Sequence, residues 1–561
     1  AGGEEIETNL ILRNTTSQSQ SGRWRIALSS NVLEVVPREG TFSLSPGGVQ
    51  TVNIRYKANR PWGLPTISLY VNEELAQERP IRIRPAAAPR TLKETFRLPP
   101  GTDTILNLPA DFFYNPRGEA NLVLSGSPID EMGPALLELL RFPHGCAEQI
   151  SSQAFVSLKL RPLAAAFYQG GVDSVDKHVR YVLGQLPLYR SGDGYAFWPG
   201  GSTSPWLTLY VTHFLLEAAE SGYEEAKRLL SPVEPYLEWL AKNTHPRHYE
   251  AAYAAFLLAR WRGAQTKAFL PSVKAVEEAQ DPMVRAFWRA AFKLSGMPML
   301  PARLPLGEKM ERELYYASPV MRYLYAESFV DTAGLRKVFD EWGRAVLREP
   351  YLSTHEAAWL LLAYERCYWA GRGSLSGQVM LGQQTIALEG LVWSCPVREQ
   401  EGKVLRLRAG RDTVYVFLWG ESYPVTSPPA ISEGLTITEE IIPRGGQQYI
   451  WRIRIRSTLR SRLENVALTV PYPSGFMLDR ATLSQESRYP PAEGLSWDYT
   501  DLREDRFLGY FTLTQGEAQI EIPLRLIYRG RYQIPSISAV VMYVPAIYGA
   551  TAARSWSAPA F

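Results

Sequence analysis

The apolar period of this chain changes twice, and that double change constrains the fold more than any other feature. Residues 6–12, 23–28, 32–36, 51–56 and 67–71 are short runs in which apolar and polar residues alternate, with Asn, Ser, Gly and Pro between them. A period of two is that of strands with one buried face, so residues 1–88 read as an antiparallel β domain. Pro85-Ala86-Ala87-Ala88-Pro89 reads as a linker, and residues 91–98 followed by Pro99-Pro100-Gly101 open a further β segment. From about residue 128 to 373 the period becomes helical, in about eleven amphipathic segments that include 175–186, 207–219, 249–262, 284–294, 335–346 and 357–368. Ser204-Pro205 supplies an N-cap with proline at the first helical position, and Ser353-Thr354-His355-Glu356 has the form of a capping box. Alternation returns at 378–388, 404–409 and 413–420, then at 448–457, 466–470, 507–514 and 518–528. The expected fold class is multidomain, all-β towards both ends with an all-α block between.

A length of 561 residues exceeds what one core can organise and fits about three to five domains. With 60 basic and 57 acidic residues evenly mixed, the net charge of +3 gives no reason to expect nucleic acid or an anionic membrane surface as partner. No run approaches the ~18 apolar residues of a membrane-spanning helix, and no signal peptide is present. The start, Ala1-Gly2-Gly3, reads as that of a mature or excised piece, the C-terminal part of something longer. Three cysteines, Cys146, Cys367 and Cys395, are too few for a disulfide framework.

The stretch that carries chemistry is Phe142-Pro143-His144-Gly145-Cys146-Ala147-Glu148-Gln149, which breaks one helical pattern and opens another running on through Phe155. Side chains three apart on a helical turn are neighbours, so the Cys146 sulfur can reach the carboxamide carbon of Gln149. Loss of ammonia would join the two as a thioester. Gly145 and Cys146 fall at the expected start of a helix, where unpaired N–H groups and the positive dipole end favour a thiolate. A stabilised thiolate leaves readily, so the acyl carbon of Gln149 becomes an electrophile for a lysine amine. A cysteine at a helix start is by itself commonly just a small buried hydrophobe; the motif context and two further stretches weigh against that here.

The motif resembles the Cys-x-Glu-Gln thioester of the alpha-2-macroglobulin and complement superfamily, with Ala147 in place of the Gly usual in animal members. The second stretch is Arg529-Gly530-Arg531-Tyr532-Gln533-Ile534-Pro535 through Ala539 to Gly549, which matches that family's C-terminal signature. The third is the loop from Ser191 to Gly201, similar to the family's equivalent loop; it lacks the lysine and helix context of a phosphate cradle and reads as a structural turn. The resemblance covers nearly the whole chain. It implies a macroglobulin-like β-sandwich at 1–88, a CUB-like β domain split into halves at 89–127 and 374–427, an inserted α/α toroid thioester domain at 128–373, and a macroglobulin sandwich, receptor-binding-like, at 428–561. Low cysteine usage points within it to a bacterial member.

The function so implied is that of a broad-range protease trap. A protease cleaves a bait region in the missing N-terminal part, and Gln149 then acylates one of its lysines, with Glu148 as the third residue of the motif. Such a protein acts once and is not an enzyme; no cofactor or metal is expected. Its location would be the bacterial periplasm, as an inner-membrane-anchored lipoprotein in the full-length form, any membrane anchor lying in the missing N-terminus together with further macroglobulin domains. The resemblance also marks Met542 and Tyr543 as the apolar cover that keeps water from the thioester, since a thioether and a phenol shield without adding a strong nucleophile. Their other reading is two ordinary edge-strand residues. No aromatic stands on the helix expected at 129–141, where some bacterial members carry a shielding tyrosine.

Other candidates are weaker. His245 and His248 are close enough to suggest metal binding or acyl transfer, but Pro246 spoils helical ligand spacing. Cys367 and Cys395 could pair in an oxidising compartment or stay as buried thiols. The competing functions are a helical-toroid glycan-active enzyme using paired carboxylates such as Asp173 and Asp176 or Asp193, and a thioester-based covalent surface adhesin or opsonin-like protein.

Overall fold

A computed structural model describes residues 1–297, 323–324, 352–366, 374–399, 405–480 and 489–558, apart from positions 116, 169, 425, 460 and 461. The chain divides into two compact units. One comprises Ala1–Leu92, Pro109–Glu119 and Gly420–Phe561; the other comprises Lys93–Leu108 and Ala120–Trp419.

The first unit is built of antiparallel strands. Glu39–Leu44, Gln20–Leu28, Thr66–Val71 and Glu74–Pro80 form one four-stranded sheet in that order. A second sheet runs Leu33–Val36, Val49–Ala58, Glu5–Arg13 and continues into Arg529–Ile534 and Arg554–Ser557. Trp24, Ile26, Val35 and Ile54 form the core between these sheets, set there by the alternation of their strands. The junction in the second sheet pairs Glu5 with Arg531 and Ile6 with Gly530. Gly530 has to be glycine, because a Cβ there would lie 2.0 Å from the Glu5 carbonyl oxygen. An N-terminal strand therefore shares a ladder with the end of the chain, which period-two patterning cannot reveal.

The C-terminal strands form two more sheets. One is Leu435–Gly445, Gln448–Ser457, Glu517–Leu526 and Phe476–Leu478, with Ala492–Glu493 also on Glu517–Leu526. The other runs Ile431–Glu433, Tyr548–Ala550, Ser538–Val541, Leu463–Pro471, Arg506–Leu513 and Leu495–Leu502. Trp451, Ile453, Phe511 and Ile520 fill the space between them. Near the N-terminus Asn14 is buried, its amide donating to the carbonyls of Gln18, Leu44 and Ser45 while its oxygen accepts from Thr16. The Asn-Thr-Thr sequence is thus a turn lock.

In the second unit, strands that precede the helices pair with strands that follow them. Glu119–Ser125 lies between Val392–Arg398 and Val414–Ser422, and Arg90–Leu98 edges that sheet. Asp103–Leu106 pairs with Leu405–Ala409, which pairs in turn with Gly377–Leu381, and Gly377–Leu381 pairs on its other side with Gln384–Leu388. The helical segment thus lies in the chain between strands that share sheets. Its described helices include Ile129–Leu140, Ala147–Lys159, Gly171–Gln185, Pro205–Glu220, Tyr249–Arg262, Pro282–Leu294 and Thr354–Tyr364. Ser204 caps Pro205–Glu220 by accepting from Leu207 N, and the Ser353–Glu356 capping box is present. Helix Ala147–Lys159 is apolar or buried nearly all round, which places it inside the body. The helix expected at 335–346 and Cys367 lie outside the described residues.

Candidate functional site

Helix Ala147–Lys159 starts from Cys146, which has extended backbone angles (φ −69, ψ 163) and is the N-cap. Gln149 is the third helical residue. The two form a reciprocal capping box: the Cys146 side chain accepts from the Gln149 backbone N–H, and the Gln149 amide oxygen accepts from Cys146 N at 3.1 Å. A box of this kind normally uses Ser or Thr with Glu or Gln. With cysteine at the cap it brings a sulfur and a carboxamide to one end of one turn, both buried, at 1% and 0% exposure. The spacing argument from the sequence is realised here as a cap and not as a stack within a helix.

The approach to the cap is fixed from several sides. The Tyr189 hydroxyl donates to the Gly145 carbonyl at 2.5 Å, Gln153 Nε2 donates to the Phe142 carbonyl at 3.2 Å, and Ala147 N donates to the Phe197 carbonyl at 3.0 Å. Phe197 lies on the Gly-rich loop, whose two short strands pair Arg190 with Tyr195. That loop is a structural turn, and one that holds the motif's backbone. Phe197 stacks on Trp206, which stacks on Tyr210.

Glu148 is fully buried. One carboxylate oxygen accepts from Ser152 Oγ at 2.6 Å and the other from Thr354 Oγ1 at 2.8 Å, while Ser152 Oγ also bonds the Tyr210 hydroxyl at 2.8 Å. The carboxylate thus ties the motif helix to the first residue of helix Thr354–Tyr364, and it sits in the first turn of its own helix, where negative charge is favoured. Replacing the Thr354 hydroxyl by a methyl group removes one donor from a buried carboxylate, a loss of about 1–3 kcal/mol. Thr354→Val is expected to lower the melting midpoint by several degrees, read by calorimetry; an unchanged midpoint would show that the bond carries no weight.

Two histidines flank this region. Burial pushes the His144 imidazole down to about 4, and that of His355, whose Nε2 accepts from Trp359 Nε1 at 2.7 Å, down to about 3. Both are neutral near pH 7, so neither brings an imidazolium to the start of the motif helix. His245 and His248, the histidines singled out by spacing, have ring centroids 6.1 Å apart, and His245 Nδ1 accepts from Arg247 N. Among the described residues no group of three or more His, Cys, Asp or Glu could hold a metal ion. Asp176 is held below the usual carboxylate range by the Tyr223 hydroxyl and by Arg180, Asp173 is exposed in the first turn of Gly171–Gln185, and Asp193 lies in the loop turn.

Met542 and Tyr543 belong to the other unit. Strand Ser538–Val541 ends one residue before them, so they occupy a turn and not an edge strand. Met542 is buried and Tyr543 half-buried. Sequence reasoning missed Tyr189, Gln153, Phe197, Ser152 and Thr354. Only the Gln at i+4 from Gln149 and the Ser at i+4 from Glu148 had a local signal; the others converge from remote positions.

Residues 432–546 match the family model described as the bacterial alpha-2-macroglobulin MG10 domain. The Escherichia coli K12 alpha-2-macroglobulin is 23% identical to this chain, covering 97% of it, and that of Pasteurella multocida is 22% identical over the same share. The chain spans 37% and 32% of the lengths of these two relatives. In fold it is similar to the crystal structure of native Escherichia coli alpha-2-macroglobulin from domain MG7 to the C-terminus, with a TM-score of 0.75 and 20% identity, over 99% of this chain and 96% of that one. A Salmonella alpha-2-macroglobulin reacted with methylamine superposes with the same TM-score and identity, over 98% of this chain and 39% of its own. The chain is homologous to the bacterial alpha-2-macroglobulins over nearly all its length.

Proposed function

We propose that Cys146 and Gln149 form an internal thioester and that the protein is a single-use covalent protease trap. The observation that carries the reading is the buried Cys146–Gln149 capping box. In forming the ring, Cys146 Sγ adds to the Gln149 carboxamide carbon, the C–N bond breaks, and ammonia leaves with the thiol proton. In use, a lysine amine adds to the same carbon, the C–S bond breaks, and the Cys146 thiol takes up the proton released by the amine. An amine as acceptor is supported by the Salmonella homologue, whose structure was determined after reaction with methylamine. The domain scheme that fits is a macroglobulin sandwich at 1–88, a CUB-like domain at 89–127 and 374–427 enclosing an α/α toroid thioester domain at 128–373, and a last sandwich at 428–561. In the full-length protein a protease would be captured after cutting a bait region outside this chain, in the periplasm of a bacterial cell. Among the described residues no helix is long and apolar enough to cross a membrane.

The experiment is to expose the full-length protein to a lysine-rich protease and to the same protease with blocked amines. A conjugate that survives denaturation, mapped by peptide sequencing to Gln149 and absent with the blocked protease, is expected. Inhibition without any such conjugate would overturn the covalent reading.

Met542 and Tyr543 serve in this scheme as the cover that keeps water from the acyl carbon. Met542→Ala and Tyr543→Ala are each expected to speed spontaneous thiol release about tenfold or more, since water exclusion is lost, with a further packing cost for Met542, whose side chain is buried. Unchanged rates in both would move the cover elsewhere.

A further inference from the structure

In the C-terminal sandwich, strand Leu463–Pro471 is irregular near its start. Its ladder with Arg506–Leu513 pairs Leu463 with Leu513 and Val466 with Phe511, so an extra residue is taken up between those rungs. Asn465 lies in this bulge with φ +58, in the left-handed region. Few residues other than glycine adopt that conformation, and asparagine is among the most tolerant of them.

The other edge of the same strand pairs with Ser538–Val541, the last pair being Val466 with Val541. One residue further on, Met542 N donates to the Asn465 carbonyl at 3.0 Å. The chain then turns twice: Val544 N donates to the Val541 carbonyl at 2.9 Å and Ile547 N to the Val544 carbonyl at 2.8 Å, while Val541 N donates to the Ile547 carbonyl at 3.0 Å. The Met542–Tyr543 corner is therefore pinned to the neighbouring strand through a carbonyl whose direction depends on the left-handed bulge. Were Asn465 to return to extended angles, its peptide would rotate and Met542 would lose that acceptor.

We propose that Asn465 is a positioning residue for the Met542–Tyr543 cover, and so sets how long the acyl donor lasts in water. This rests on the thioester and cover readings above, and the bulge itself is what is new.

The test compares the parent chain with Asn465→Gly, Asn465→Ala, Asn465→Val, Met542→Ala and Tyr543→Ala. Thiol release is followed well below every melting midpoint. Glycine keeps the left-handed backbone and should leave the rate within about twofold, whereas Ala and Val disfavour it by an amount that corresponds to about five- to thirtyfold faster release. Equal melting midpoints with unequal rates separate positioning from general destabilisation, and Ala stands in should Val fail to fold. Acceleration by Met542→Ala without acceleration by Asn465→Ala or Asn465→Val would overturn the role of the bulge, and so would acceleration by Asn465→Gly. If Met542→Ala and Tyr543→Ala change nothing, the cover reading falls and this one with it. A parent that releases no thiol with methylamine refutes the thioester itself.

Discussion

Native protein should weigh one ammonia less than its sequence and show no reactive thiol at Cys146, and methylamine should restore that thiol while adding one amine to Gln149. The effect is all or none, because a ring either closes across the capping box or does not. Its cause is the pairing of a sulfur cap with the Gln149 carboxamide, whose oxygen is already turned back to Cys146 N at 3.1 Å. Cys146→Ala should abolish the mass deficit and the amine uptake together. Thiols are counted in the same sample before and after methylamine, so that the change reads Cys146 whatever Cys367 and Cys395 contribute. Equal methylamine labelling of Gln149 in the variant and the parent would exclude the thioester.

A second all-or-none result is expected on gentle heating. While the helix is folded, the backbone amide of Gln149 donates to the Cys146 side chain and is kept from its own side-chain carbonyl. Unfolding removes that constraint, and the nitrogen can attack the activated carbon within the same residue at high effective concentration. A five-membered ring forms as the C–S bond breaks and the thiol takes up the amide proton. The peptide bond between Glu148 and Gln149 is then imide-like and hydrolyses, leaving one fragment that ends at Glu148 and one that begins with pyroglutamate from Gln149. Electrophoresis and terminal mass analysis would read the pair. Methylamine treatment beforehand, or Cys146→Ala, should prevent it, since an ordinary carboxamide is not activated. Fragments from the variant as readily as from the parent would point to unrelated chain breakage.

The period of two, the period of 3.6 and the short motif are local signals, and what depends on them was legible in the sequence. Thus Ser204 and Ser353 were readable as caps, and Cys146 and Gln149 as neighbours. The alternative reading of Met542 and Tyr543 as edge-strand residues does not hold, and the turn after Val541 has no glycine or asparagine of its own to announce it. Its determinant is Asn465, in another strand, where a single polar residue looks like ordinary alternation. The same holds for Glu148. Its i+4 partner Ser152 is visible on a helix diagram, but Thr354 lies 206 residues away and only packing brings it there. The pairing of Glu5 with Arg531 is likewise invisible to any window of sequence.

The insertion of the helices between strands of shared sheets has a consequence for biogenesis. Ile105 has its ladder partner at Arg406, about 300 residues later. At about 5–20 residues per second on the ribosome, the earlier strands wait roughly 15–60 s for partners that do not yet exist. During that interval Asp103–Leu106 and Glu119–Ser125 offer unpaired edges to any other nascent chain. The helices, whose contacts are mostly nearer in sequence, can form while those edges stay open. Closure of these sheets then follows synthesis of the helices, and a chain truncated before Leu405 would keep its open edges and be prone to aggregate, however well its helices had packed.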